Sequence, residues 1–156
     1  MTRLVLALSF LAPFLHAQET AAPPQDVAKM VASIDAKRIE ADIRKLCSFG
    51  TRHALSSWTD EKRGIGAAGR FIESEFKKVA QTSGGRMTAS IQTFDVPGVV
   101  RRRIDRTQSD GKLRNIVCKI EGTDPGRVVV VSGHYDSRAS KGWDVKSDAP
   151  GANDDA

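Results

Sequence analysis

Apolar residues recur along this chain with two periods. Val27, Met30, Val31 and Ile34 fall at i, i+3, i+4 and i+7, which is one stripe of an α-helix. Ile39, Ile43 and Leu46 continue the stripe after a break near residues 33–35, and the pattern stops at Ser48-Phe49-Gly50. A second helical stripe runs through Ile65, Ala68, Ile72, Phe76 and Val79 and ends by Gly84-Gly85. Both stripes are expected to face a core. The period then changes to two: Met87, Ala89 and Ile91 alternate with Thr88, Ser90 and Gln92, as on a half-buried strand. Asp110-Gly111 reads as a turn, residues 113–121 as a further strand, and Asp124-Pro125-Gly126 as the next turn. Val128, Val129, Val130 and Val131 follow. Four β-branched residues without a polar break fit a strand buried on both faces, as in the parallel sheet of an α/β protein.

The first 17 residues break both periods. Arg3 precedes a run from Leu4 to Leu15 that is apolar apart from Ser9, and Leu15-His16-Ala17 ends on a small residue. This is the layout of a secretory signal peptide, and the run is too short to span a bilayer comfortably. The expectation is an exported protein, secreted or periplasmic, without stable membrane association after cleavage. His16 would leave with the leader, so His53 and His134 remain. Residues 18–25 are polar and carry prolines, a flexible lead-in, and residues 26–156 make one domain.

Composition narrows the function less than it narrows the class. An apolar content of 40% with 28% charged residues describes a globular protein. Part of the formal charge of +5 comes from Arg101, Arg102, Arg103 and Arg106. No recognition helix or aromatic platform accompanies that cluster, so it reads as a solvated loop and no nucleic-acid partner is expected. Gly64-Ile65-Gly66-Ala67-Ala68-Gly69 matches the dinucleotide fingerprint letter for letter. That fingerprint needs a strand before it and a carboxylate about 20 positions after it. Residues 56–63 make no strand, and position 89 is alanine, so the small residues read as helix packing. His53 has no ligand-type residue at metal spacing and reads as structural. A bond between Cys47 and Cys118 would close a long loop, worth roughly 4 kcal/mol. Two buried free thiols are the simpler reading, and neither cysteine has a C-x-x-C partner.

The chemistry concentrates after the valines. Ser132-Gly133-His134-Tyr135-Asp136 follows at once, and ligands of open α/β sheets sit beyond the carboxyl ends of the strands. His134 and Asp136 are two residues apart, so on an extended chain they share a face. A carboxylate beside an imidazole holds its tautomer and raises its basicity as a metal ligand. The chain then reaches Ala149-Pro150-Gly151-Ala152-Asn153-Asp154-Asp155-Ala156, a tight turn followed by carboxylates.

Gly133-His134-Tyr135-Asp136-Ser137 together with residues 149–156 resembles the two-zinc exopeptidases typified by secreted bacterial leucyl aminopeptidases, which carry G-H-x-D-S, a variable loop and A-P-G-A-D-D-N-A-S-G. Phe49-Gly50-Thr51-Arg52 and Asn115-Ile116-Val117 agree more weakly. The resemblance implies a three-layer α/β/α sandwich with a mixed central sheet, of which these residues make the first half. It implies His134 as a zinc ligand, Asp154 as the carboxylate bridging two zinc ions, and Asp136 as the carboxylate orienting His134 at the catalytic centre. Asn153 stands where the family often has aspartate, which is not the bridging position. The resemblance places a glutamate general base, two acidic ligands and a second histidine downstream of the motif. Ala156 lies inside that motif, so the expectation is the N-terminal part of a longer enzyme, inactive by itself and a weak zinc binder. The implied reaction is hydrolysis of the N-terminal peptide bond of a peptide or protein. Glutaminyl cyclases of the same fold and a non-catalytic extracellular interaction domain are the alternatives.

Overall fold

A computed structural model describes residues 24–96 and 110–152. Residues 1–17, where a leader is expected, the arginine cluster at 101–106 and Asp154 lie outside them. Three helices and one two-stranded antiparallel sheet are present among the described residues, in the order α1 (Gln25–Ala32), α2 (Ala36–Cys47), α3 (Gly64–Gln81), β1 (Met87–Asp95) and β2 (Lys112–Ile120). None of these helices is long and apolar enough to cross a membrane. The chain divides into two compact units, Met1–Asp35 and Ala36–Ala156.

The first unit contributes α1. Pro24 occupies its N-cap, and Ser33 closes it by donating from Oγ to the Met30 carbonyl at 2.7 Å. The break expected at 33–35 is therefore real. The core-facing expectation for the stripe is not met, because Val27, Met30, Val31 and Ile34 are exposed. A stripe reports that a face is apolar; it does not say where a cover comes from.

In the second unit α2 ends where the pattern stops. Ser48 N–H bonds the Arg44 carbonyl at 3.0 Å, and Gly50 reverses the chain with φ +73°. Phe49 drops into a small core with Ala67 and Ala68, against which Leu46, Phe71 and Tyr135 pack. The Phe49 and Phe71 rings meet tilted, 6.1 Å apart, within the range of favourable aromatic pairs. Ile39, on the other half of the α2 stripe, stays exposed.

The glycine pattern at the start of α3 is a packing device. No strand precedes it. Residues 54–63 form turns, and Ile65 N–H is taken up by Ser56 Oγ at 2.9 Å. A Cβ at Gly66 would stand 2.1 Å from the Trp58 carbonyl oxygen, and one at Gly69 would stand 2.9 Å from the Trp58 ring. Helix propensity alone favours alanine over glycine by about 1 kcal/mol. Gly66→Ala is nonetheless expected to destabilise by about 2–3 kcal/mol, because the obstacle is backbone and cannot rotate away. A urea midpoint at or above the wild-type value would contradict that contact.

β1 and β2 pair along their whole length, from Met87 opposite Ile120 to Asp95 opposite Lys112. Met87 is buried and Ala89 and Ile91 half-buried, while Thr88, Ser90 and Gln92 are exposed. This is the alternation that the sequence predicts. α3 packs on both strands. The Arg114 guanidinium of β2 lies over the Trp58 ring at 4.3 Å and pairs with Asp110.

Residues 128–131 depart from expectation. They form no strand, and their exposures are 84, 89, 79 and 92%. A doubly buried strand needs ladder partners on its edges and cover on both faces. Among the described residues β1 and β2 satisfy each other, and nothing covers the valines. Cys47 and Cys118 are both free thiols, half-buried and not fully buried. Cys47 Sγ approaches the Pro150 carbonyl at 3.4 Å.

Candidate metal centre

Two stretches distant in sequence meet at the site. Residues 49–56 leave α2, and residues 133–151 come back alongside them. Thr51 and Ala149 form a parallel bridge, and Ala149 N–H donates to the Gly50 carbonyl at 2.9 Å. Ser137 ties the stretches together. Its N–H donates to the Arg52 carbonyl at 3.2 Å, its Oγ accepts from Arg52 N–H at 3.0 Å, and the same Oγ donates to the Ala149 carbonyl at 2.5 Å. Gly151 turns the chain there with φ +51°, where a Cβ would stand 2.8 Å from Ser137 Cβ. A side chain at 151 would be both strained and crowded.

His134 and Asp136 lie on one side of this stretch. His134 Nδ1 is 3.1 Å from Asp136 Oδ1 and 3.2 Å from the Asp136 carbonyl oxygen. Both are acceptors, so Nδ1 is the donor in this contact. That is the arrangement a metal-ligating imidazole needs. Both side chains are 43% exposed, so the pair opens to solvent.

Tyr135, between them, points the other way, as alternation requires. Its ring joins the core and its hydroxyl donates to the Arg114 carbonyl at 3.1 Å. Burial pushes the phenol up to about 12, although the Arg114 charge pulls it down. The imidazole is thus anchored on both sides, by Asp136 and by a buried neighbour. A cavity of about 260 Å³ adjoins the pair, with Trp58, Ile65, Leu113 and Arg114 among its other walls. Asp110, at its rim, is held below the usual carboxylate range by the Arg114 hydrogen bond.

Asp154 lies outside the described residues, so its distance from His134 is not part of this geometry. Among the described residues no group of three His, Cys, Asp or Glu side chains converges as a metal site. The described part of the site therefore supplies one imidazole and the carboxylate that orients it. The donor chemistry fits zinc.

His53 is not part of the pair. It is buried, its Nδ1 accepts from Leu55 N–H at 3.0 Å, and its Nε2 meets the Gly142 carbonyl at 3.1 Å. Both ring nitrogens are used internally, which is the structural role its sequence context suggests. Arg52 escapes a sequence reading. Its side chain is fully buried, and its donors reach the carbonyls of Tyr135, Pro150 and Gly151. The only hint in the sequence is its place beside Gly50 and Thr51 in the weaker part of the family pattern.

Residues 115–156 match the profile of Peptidase family M28. A protein of Pyricularia oryzae named "Probable zinc metalloprotease" is 46% identical over 135 residues, covering 86% of this chain and 26% of that protein. One of Pyrenophora tritici-repentis with the same name is 46% identical over 136 residues, covering 86% of this chain and 27% of that protein. A third, of Phaeosphaeria nodorum, is 44% identical over 134 residues, covering 85% and 26%. The chain thus spans about a quarter of the length of these relatives. No solved structure matches at comparable significance.

Proposed function

We propose that the protein carrying this chain, whose residues 115–156 match the profile of Peptidase family M28, is an exported zinc-dependent exopeptidase of the aminopeptidase type. The observation that carries the reading is the His134–Asp136 pair at 3.1 Å, with the imidazole proton held on Nδ1. The names of the fungal relatives support zinc and peptide-bond hydrolysis. In this reading His134 and Asp154 would hold zinc, Asp154 as a carboxylate that two ions could share. Asp136 keeps the His134 lone pair aimed outward and raises its basicity. Bound zinc would supply Lewis-acid polarisation of the scissile carbonyl and a water of lowered pKa. The substrate is the free N-terminus of a peptide or protein. The fold proposed for the whole domain is a three-layer α/β/α sandwich with a mixed central sheet. The leader at 1–17 directs export to the periplasm or medium.

The test uses the full-length protein. Metal analysis should find zinc, and aminoacyl substrates should be cleaved while the same peptides acetylated at the N-terminus are not. Equal cleavage of blocked peptides would overturn the exopeptidase assignment. Ring closure of N-terminal glutamine with release of ammonia, without hydrolysis, would point to cyclase chemistry. Zinc-free, inactive protein that still binds a partner would point to an interaction domain.

A further inference from the structure

Arg52 is 0% exposed, and its guanidinium faces backbone oxygens. Nε donates to the Tyr135 carbonyl at 2.8 Å, Nη1 to the Pro150 carbonyl at 2.7 Å and Nη2 to the Gly151 carbonyl at 3.3 Å. Its main chain adds two bonds to Ser137. One side chain therefore grips two separate segments. Tyr135 is the residue after His134, and Gly151 stands three residues before Asp154. We propose that Arg52 is a positioning residue for the metal centre: it fixes the His134 segment against the turn at Pro150 and Gly151. The proposal rests on the reading of His134 and Asp154 as ligands.

Physical chemistry favours this role over simple space-filling. Burying a cation costs several kcal/mol per ion unless hydrogen bonds replace its hydration. An apolar residue could fill the space without that cost. What arginine adds is a rigid planar fork with several donors at fixed angles. Carbonyls of both segments must meet that fork at once, so their relative position is determined. Lysine has a single rotatable ammonium and cannot reproduce the fork. Arginine also keeps its charge at every physiological pH, so the grip does not depend on protonation. Ser137 reinforces it, because its Oγ joins Arg52 N–H to the Ala149 carbonyl, one residue before Pro150.

Altering this fork should shift the Tyr135 and Pro150-Gly151 segments relative to each other without deleting a ligand side chain. The experiment compares Arg52→Lys and Ser137→Ala with wild type in the full-length protein. Three quantities are read: thermal unfolding of the metal-free form, zinc affinity by chelator competition, and visible absorption after cobalt(II) substitution. Arg52→Lys is expected to weaken zinc by about 10- to 100-fold, the usual loss when a group behind the ligands is altered. Its cobalt bands should shift, because the coordination geometry changes. Ser137→Ala should move both quantities the same way by less. A folded Arg52→Lys variant with wild-type affinity and wild-type cobalt bands overturns the proposal. Should Arg52→Lys fail to fold, Ser137→Ala decides: unchanged bands and affinity overturn it, and shifted bands support it. The underlying reading is checked separately. If His134→Ala binds zinc as tightly as wild type, the ligand assignment fails and the proposal falls with it.

Discussion

His134→Ala is expected to abolish hydrolysis of aminoacyl substrates and to lower bound zinc in the full-length protein, and Asp154→Ala is expected to do the same. Each change deletes a donor atom outright. A catalytic zinc typically keeps three protein ligands and one open position, so losing a ligand removes both the metal and the polarisation it provides. Asp136→Asn should behave differently. The His134 Nδ1–H bond to Oδ1 at 3.1 Å keeps an acceptor, because the asparagine carbonyl oxygen can still accept the hydrogen bond. What is lost is the negative charge that makes the imidazole a stronger donor. The variant should retain more zinc than the two alanine variants and lose about 10- to 100-fold in rate or affinity. Zinc content and turnover, measured on the three proteins in parallel, separate the roles. Normal activity in Asp154→Ala would sink the bridging assignment. Asp136→Asn as metal-free as His134→Ala would make Asp136 a ligand, not an orienting group.

The pair at 134 and 136 was legible because its geometry is local. Two residues of extended chain put both side chains on one face whatever lies elsewhere, and the contact is made within that span. The alternation of β1 was legible for the same reason: a period of two is set by the strand itself. The dinucleotide fingerprint shows the converse. Its letters are correct, but the turns before α3 replace the strand it requires, and the Trp58 carbonyl occupies the space that the glycines open. Arg52 was not legible. Its partners lie 83, 98 and 99 residues away in sequence, and no periodicity reports a contact of that range. Arginine is also among the residues least often fully buried, so composition points the wrong way. The exposed stripe of α1 and the valine run share one cause. Hydrophobic patterning reports that a surface is apolar, and it does not report what covers it.

That cause yields the second large effect, and its sign depends on context. In the 156-residue chain, Val128 through Val131 stand at least 79% exposed. Uncharged β-branched segments of this kind pair with copies of themselves. The chain by itself is expected to associate, and Val129→Lys with Val131→Lys should return it toward a monomer on size exclusion. In a protein of the relatives' length the same substitutions should be severely destabilising if 128–131 is a central strand. An unpaired buried lysine costs far more than a lost methyl contact. The pairing of positions sharpens the test. On an extended strand 128 and 130 face one side, and 129 and 131 the other. A strand covered on both faces rejects lysine at either pair, whereas a strand covered on one face accepts it at one pair. Chemical denaturation of the two double variants distinguishes these cases. Tolerance of lysine at all four valines in the full-length protein would remove this segment from the sheet interior, and with it the three-layer sandwich.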